Sequence, residues 1–217
     1  MDIKDEGYYK NVRPEMLRYI PSSAKTILEI GCGSGNFSDK LVQEGVETWG
    51  VETFEKSANE ASQKLTKVLI GTLDDTLKDL PDNYFDVIVM NDVIEHLLEP
   101  WDDIVNLKSK LKKEGVLVTS IPNVRYSKNL FKMIFKRDWK YTDDLILDRT
   151  HYRFFTKKSI QRMYKDCGYN IQTIKGINVT KSFLYFPFAV LFNIVLLGSQ
   201  FDMFFMHHST VSSKNEE

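Results

Sequence analysis

The stretch TILEIGCGSGNFSDKL, residues 26–41, decides how the rest of the chain is read. Ile27, Leu28 and Ile30 make a short apolar run with an acid, Glu29, set inside it. Three glycines follow at alternate positions, Gly31, Gly33 and Gly35, and then a helix-like segment that stops at Gly45. A buried strand, a glycine turn and a helix in that order bring backbone N–H groups close to a ligand at the strand end. A dinucleotide loop has the spacing G-x-G-x-x-G/A. Counted from Gly31 the sixth position is Asn36, and counted from Gly33 it is Ser38. The spacing here is G-x-G-x-G. It keeps the tight turn but lacks the glycine that seats a helix beside a pyrophosphate, so it suits a nucleoside ligand without one. Glu52, 17 residues after Gly35, ends the next strand, where an acid can accept hydrogen bonds from ribose hydroxyls.

Outward from this loop, strand and helix patterns alternate. VETWGVE (46–52), KVLIG (67–71), YFDVIVMN (84–91), GVLVTSIP (115–122), YNIQTIKGINV (169–179) and FDMFFMHHSTVSS (201–213) read as strands. NFSDKLVQEG, FEKSANEASQKL, DVIEHLLEP, WDDIVNLKSKLKK and TKKSIQRMYKDCG read as helices, and residues 11–20 show a further helical pattern. That alternation predicts an α/β fold: a Rossmann-like, doubly wound, mostly parallel seven-stranded sheet with helices on both faces. Ligands in such sheets bind at the carboxyl ends of the strands. The glycine loop, Glu52, Thr72, Asn91 and Pro122 all follow strands and are expected along one edge.

The motifs LEIGCGSG, GVE, FDVIVMNDVIEHL and LKKEGVLVTSIPN, in this order, resemble a class I S-adenosylmethionine-dependent methyltransferase over residues 8–178. The resemblance implies a sheet whose last strand is antiparallel. It implies S-adenosylmethionine as cofactor, with Glu29 and the backbone of Gly31, Cys32, Gly33 and Gly35 at its methionine end. Glu52 would face the ribose, and Thr53, Thr72, Leu73 and Asn91 complete the cofactor set. Where the family often has an acid facing the adenine amino group this chain has Thr72, with Asp74 as the substitute. One domain over 1–217 is expected. It comprises an N-terminal helix or cap (1–25), a cofactor core (26–122), a substrate cap (123–155) and the rest of the sheet (156–212).

Two histidines are candidates for the acceptor side. Asp92, Glu95 and His96 stand at i, i+3 and i+4, on one face if the segment is a helix. Such a set could ligate a divalent cation. Ubiquinone-pathway O-methyltransferases and small-RNA 2′-O-methyltransferases carry a similar metal-binding motif. The same pattern also occurs without metal, and no metal is assigned here. His151, in LDRTHYRFFT, falls where resembling enzymes bring a histidine to the active site. An unperturbed imidazole pKa of about 6.5 suits base work near neutrality. Segment 123–155 holds eight aromatic residues and eight Lys or Arg against four Asp. Aromatic faces beside cations suit sugar rings, or acidic and phosphate-bearing acceptors. The cap motifs also resemble a bacterial subgroup found with surface-polysaccharide and glycolipid biosynthesis. The expected activity is O-methylation of a sugar or glycan precursor. A phenolic or quinol acceptor, and a cofactor-binding partner subunit without turnover, are the alternatives.

Charge excludes other classes. The formal net charge is -1, so nothing pulls the chain toward nucleic acid. Two cysteines, Cys32 and Cys167, without metal-type spacing fit a reducing compartment. The polar start MDIKDEGYYKNVRPEML does not read as a signal peptide, so a cytoplasmic location is expected. One run stands out: FLYFPFAVLFNIVLL, 183–197, inside a charge-free stretch from Ser182 to Phe201. It is short of the roughly 20 residues that cross a bilayer. It is expected to be a lid, a homodimer face or a peripheral membrane contact.

Overall fold

The computed structural model describes residues 12–215. Its strands are β1 (Thr26–Ile30), β2 (Glu47–Glu52), β3 (Lys67–Ile70), β4 (Phe85–Asn91), β5 (Leu111–Pro122), β6 (Tyr169–Val179) and β7 (Phe205–Lys214). They form one sheet in the order β3-β2-β1-β4-β5-β7-β6. The first five in that order are parallel, and β7 runs antiparallel to both β5 and β6. The central strands read as unbroken apolar runs because both of their faces are covered. Along β4, Ile88 and Met90 enter one core while Val87 and Val89 enter the other, the period of two that a strand imposes.

The helices are α1 (Asn36–Gln43), α2 (Glu55–Ala61), α3 (Leu73–Thr76), α4 (Pro100–Leu107), α5 (Ser127–Phe131), α6 (Lys157–Asp166) and α7 (Tyr185–Val195). Gly45 and Gly168, just past α1 and α6, take positive φ and end those helices as the pattern predicts. α6 begins with a reciprocal cap between Thr156 and Ser159.

Besides the last strand, which begins at Phe205 after a 3-10 turn, Phe201–Phe204, and not at Phe201, three local readings need correction. DVIEHLLEP is not a helix: it makes one 3-10 turn, Ile94–His96, and Pro100 opens α4 instead of interrupting a helix. Proline is favoured at such a first position because its missing N–H would be unpaired there anyway. Second, the lysine-rich end of WDDIVNLKSKLKK is already strand: β5 starts at Leu111, which pairs with Phe85. Lys110 and Lys112 reach Asp82 at 2.7 Å and Asp86 at 2.8 Å, contacts that no helical pattern signals. Third, the helix expected over 11–20 is a 3-10 turn, Pro14–Tyr19, preceded by Arg13 in the left-handed region. The rest of the expected N-terminal helix or cap, residues 1–11, lies outside the described residues.

α6 is fixed to the sheet by one polar contact inside an apolar layer. Thr119 of β5 and Thr210 of β7 face each other in register and bond at 2.8 Å. The Tyr164 hydroxyl of α6 bonds both threonines, at 2.8 and 3.2 Å. Burial pushes that phenol up to about 12, so it stays protonated. Tyr164→Phe leaves two buried threonine hydroxyls to share one bond. It is expected to destabilise the fold by about 1–2 kcal/mol. Urea unfolding should show a lower midpoint at unchanged slope; an unchanged midpoint would contradict this account.

Candidate active site

The parallel strands put the ends of β1, β2, β3, β4 and β5 on one edge, and the site is built there. Gly31, Gly33 and Gly35 all have positive φ, at 68°, 53° and 76°. A Cβ at Gly31 would stand 2.7 Å from Val93 Cγ2. The turn after β4 therefore lies directly against the glycine loop, and only glycine fits between them.

Two acids brace the loop. Glu52 is buried; its Oε2 accepts the Gly33 N–H at 2.8 Å and its Oε1 accepts the Phe54 N–H at 2.8 Å. Thr53 Oγ1 donates to Oε1 at 3.3 Å. Glu29 lies under the loop and accepts the Ser38 hydroxyl at 2.7 Å. Burial, with the nearby Glu52 charge adding, pushes the Glu29 carboxyl up to about 8. The Asn91 side chain at the end of β4 favours the charged form of Glu29, although neither of its amide atoms reaches a hydrogen bond of good geometry.

Other candidates serve the fold with their side chains. The Cys32 thiol packs with Ala61 and Leu65 against Gly50 and donates to the Gly33 carbonyl at 3.7 Å, so it supports the loop from behind. Thr72 caps α3 in a reciprocal pair with Asp75. Leu73 joins the main core.

On the acceptor side the structure divides the expected trio. Asp92 has φ 54° and turns away from Glu95 and His96. It accepts from Ser120 Oγ at 2.9 Å and from the Arg13 guanidinium, and His207 Nε2 is 3.7 Å from its Oδ1. The missing helix is the reason: the i, i+3, i+4 geometry exists only if those residues are helical. His151 takes the place of Asp92. One ligand atom each from Glu95, His96 and His151 lies within 4.8 Å of the others. The two imidazoles stack edge to face at 4.6 Å, and His151 Nε2 is 4.0 Å from Glu95 Oε1.

Each ring is oriented by a backbone carbonyl. His96 Nδ1 faces Thr150 O at 3.2 Å, and His151 Nδ1 faces Ile146 O at 3.0 Å. A carbonyl only accepts, so both rings carry their proton on Nδ1 and direct Nε2 lone pairs elsewhere. Glu95 is fully buried, and among the described residues neither of its carboxylate oxygens has a hydrogen-bond partner of good geometry. Desolvation, with Asp148 adding, pushes it up to about 8, while its own backbone N–H and Arg13 oppose. A buried carboxylate so poorly supplied with donors either keeps its proton or takes a cation. One carboxylate with two imidazoles held through Nδ1 is a donor set that fits a divalent ion.

Three contributors escaped the sequence reading. Arg13 is buried and bridges Glu15 and Asp92; a lone arginine ahead of a proline carries no pattern. Asp148 accepts from Thr150 N at 2.9 Å and Thr150 Oγ1 at 2.8 Å, which sets the carbonyl that holds His96. The D-x-T spacing of an Asx turn could have revealed it. His207 was read only as part of a strand. A surface depression of about 500 Å³ between Arg18, Tyr19, Thr173 and Lys175 contains none of the site residues.

Residues 2–174 match a family model described as a methyltransferase domain. The chain belongs to the methyltransferase family. This methyltransferase is 25% identical over 185 residues to a ubiquinone biosynthesis O-methyltransferase of Rickettsia bellii, covering 79% of this chain and 76% of the relative. It is 27% identical over 187 residues to the protein of that name from Rickettsia canadensis, covering 80% and 78%. Among solved structures, a SAM dependent methyltransferase from Archaeoglobus fulgidus superposes with a TM-score of 0.66. That pair shares 21% identity and covers 97% and 95% of the two chains.

Two tests follow from this geometry. Glu52→Ala removes the acceptor of the Gly33 and Phe54 amides, and S-adenosylmethionine affinity should fall at least about tenfold by calorimetry, roughly 1.4 kcal/mol. Unchanged affinity in a folded variant would remove Glu52 from the cofactor site. Glu95 supplies the second test. Its folded pKa of about 8 lies above the unfolded value of about 4.3. The folded state therefore holds the proton more tightly. The stability this gives is fully present below about pH 4.3 and is lost as pH rises through about 8. In EDTA, Glu95→Gln should gain stability relative to the native enzyme between pH 5 and pH 8, read from urea midpoints. A pH-independent difference would count against the buried, unpaired carboxyl.

Proposed function

We propose that this methyltransferase O-methylates a hydroxyl on a phenolic or quinol ring. The observation that carries the reading is the convergence of His151, His96 and Glu95 beside the glycine loop. Methyl transfer from a sulfonium needs little covalent help; positioning and desolvation dominate. The acceptor oxygen must still lose its proton. A phenol, with a pKa of about 10, lies within reach of an imidazole base of about 6.5, whereas an aliphatic sugar hydroxyl is a much weaker acid. His151 is the base or hydrogen-bond partner in this reading, with Ile146 O fixing its tautomer. Tyr126, Trp139 and Phe154 supply aromatic surface in the cap, and Trp139 and Phe154 pack edge to face at 5.3 Å. The relatives named for ubiquinone biosynthesis support the ring acceptor over the sugar or glycan precursor that the cap composition suggested.

A second reading is favoured by the three converging ligand atoms. There Glu95, His96 and His151 would hold a divalent cation, which would supply Lewis-acid help in lowering the pKa of the acceptor hydroxyl. Because Asp92 is committed to Ser120 and Arg13, this ion would draw on a different third ligand from the one the sequence motif suggests.

The deciding assay offers catechols, simple phenols and sugar nucleotides with S-adenosylmethionine and reads methyl gain by mass spectrometry. Product from the ring acceptors is expected. Methylation of the sugars alone would overturn the proposal. His151→Ala should lower kcat by about 10²- to 10⁴-fold with cofactor affinity near the native value. Activity within a few-fold of native at every pH would remove His151 from catalysis. Activity lost in EDTA and restored by magnesium would select the cation reading.

A further inference from the structure

Helix α7 has its polarity reversed. Its one strongly polar side chain, Asn193, is buried and spends its amide inside the protein: Nδ2 donates to Ala189 O at 2.8 Å and Gln200 O at 3.1 Å, and Oδ1 accepts the Gln200 N–H at 3.2 Å. The outer face is aliphatic and exposed, with Leu191, Ile194 and Val195 each more than 60% exposed and Leu197 at 95%. A helix facing water shows the opposite arrangement. Eleven residues rise about 16 Å, and no helix among the described residues is long and apolar enough to cross a membrane.

The surface continues beyond α7. Phe131 and Phe135 pack on Phe188 at 5.3 and 5.8 Å, which joins the π-helical turn Lys132–Lys136 to the helix. That turn projects exposed Met133, Ile134 and Phe135 between two lysines. Arg137 and Lys140 follow, and Lys181 precedes α7, all exposed. Over residues 123–140 there are six Lys or Arg and one acid, Asp138.

We propose that α7 and the Lys132–Lys136 turn form a docking face for an anionic lipid bilayer, entered to the depth of one helix and not crossed. Charge complementarity selects this occupant. An apolar helix flanked by cations matches acyl chains beneath anionic head groups. A second copy of the chain would bring the same cations against themselves and leave them without counter-charges. The face also adjoins the cap segment that bears His151, so an apolar acceptor could pass between bilayer and site. The docking itself does not depend on the identity of the acceptor.

The test is co-sedimentation of the full chain with phosphatidylcholine vesicles, with and without about 30% phosphatidylglycerol. Binding to the anionic vesicles should be at least about tenfold tighter and should weaken in about 0.5 M salt as screening shortens the reach of the lysines. The double variant Leu191→Glu, Ile194→Glu should lose binding while its unfolding midpoint and S-adenosylmethionine affinity stay native. Lys132→Glu with Lys136→Glu should lose the preference for anionic vesicles. A folded native chain that ignores anionic vesicles at low salt overturns the proposal. So does a native dimer in analytical centrifugation that the double glutamate variant splits, because the face would then belong to self-association.

Discussion

The carboxylate of Glu52 holds the glycine turn to the end of β2, and the ligand edge depends on that contact. Three left-handed residues in five leave the turn without any repeating hydrogen-bond pattern of its own. The Gly31 and Cys32 amides bond Val51 O and the Gly35 amide bonds Cys32 O, while the Gly33 amide at the middle of the turn goes to Glu52, which gives its other oxygen to Phe54. Glu29 sits beneath the same turn, held near neutrality partly by the charge of Glu52. The Lys64 ammonium holds the same loop, donating to Ser34 O at 2.6 Å and Asn36 Oδ1 at 2.7 Å. S-adenosylmethionine brings both a sulfonium and an ammonium group, and either would favour ionised Glu29.

Strong periodicity made the sheet legible. β1, β4 and β6 carry unbroken or alternating apolar runs, and their limits agree closely with the pattern. The glycine spacing and the acid at the end of β2 located the cofactor edge for the same reason: both are local in sequence. Long-range decisions were not legible. The exit from β4 reads as helical from its residue types, yet Asp92 takes a left-handed turn to meet Ser120 on β5 and Arg13 from the N-terminal segment. The start of β5 hides in a run of lysines whose partners, Asp82 and Asp86, come from the preceding loop and strand. Arg13 meets Asp92 across a long stretch of chain, so no spacing announces that contact, whereas Asp148 acts through a local turn whose D-x-T spacing is visible in the sequence.

The acceptor cluster shows how a weak motif becomes specific. Glu95 and His96 come from one turn, and His151 from a segment some 55 residues later. Backbone bonds join the two: Tyr152 N and Arg153 N both donate to Glu95 O, at 2.9 and 3.2 Å. Thr150 O orients His96 in return. Neither segment can shift without disturbing the other, so the imidazole pair is set by main chain and not by rotamer preference. The aromatic cap is thus anchored at its far end, next to α6.

β6 and β7 are antiparallel neighbours, and Thr180 N still bonds Phe204 O at 2.9 Å where the excursion begins and ends. A tight hairpin would satisfy the sheet at that point. Everything from Lys181 to Met203 is, in topological terms, an appendix stitched into one seam. Its length and character can be altered while the strand registers that place Glu29, Glu52 and the histidines are preserved. A change within that excursion would be felt first by α5 and the Lys132–Lys136 turn, whose Phe131 and Phe135 pack on Phe188, and only then by the seam itself.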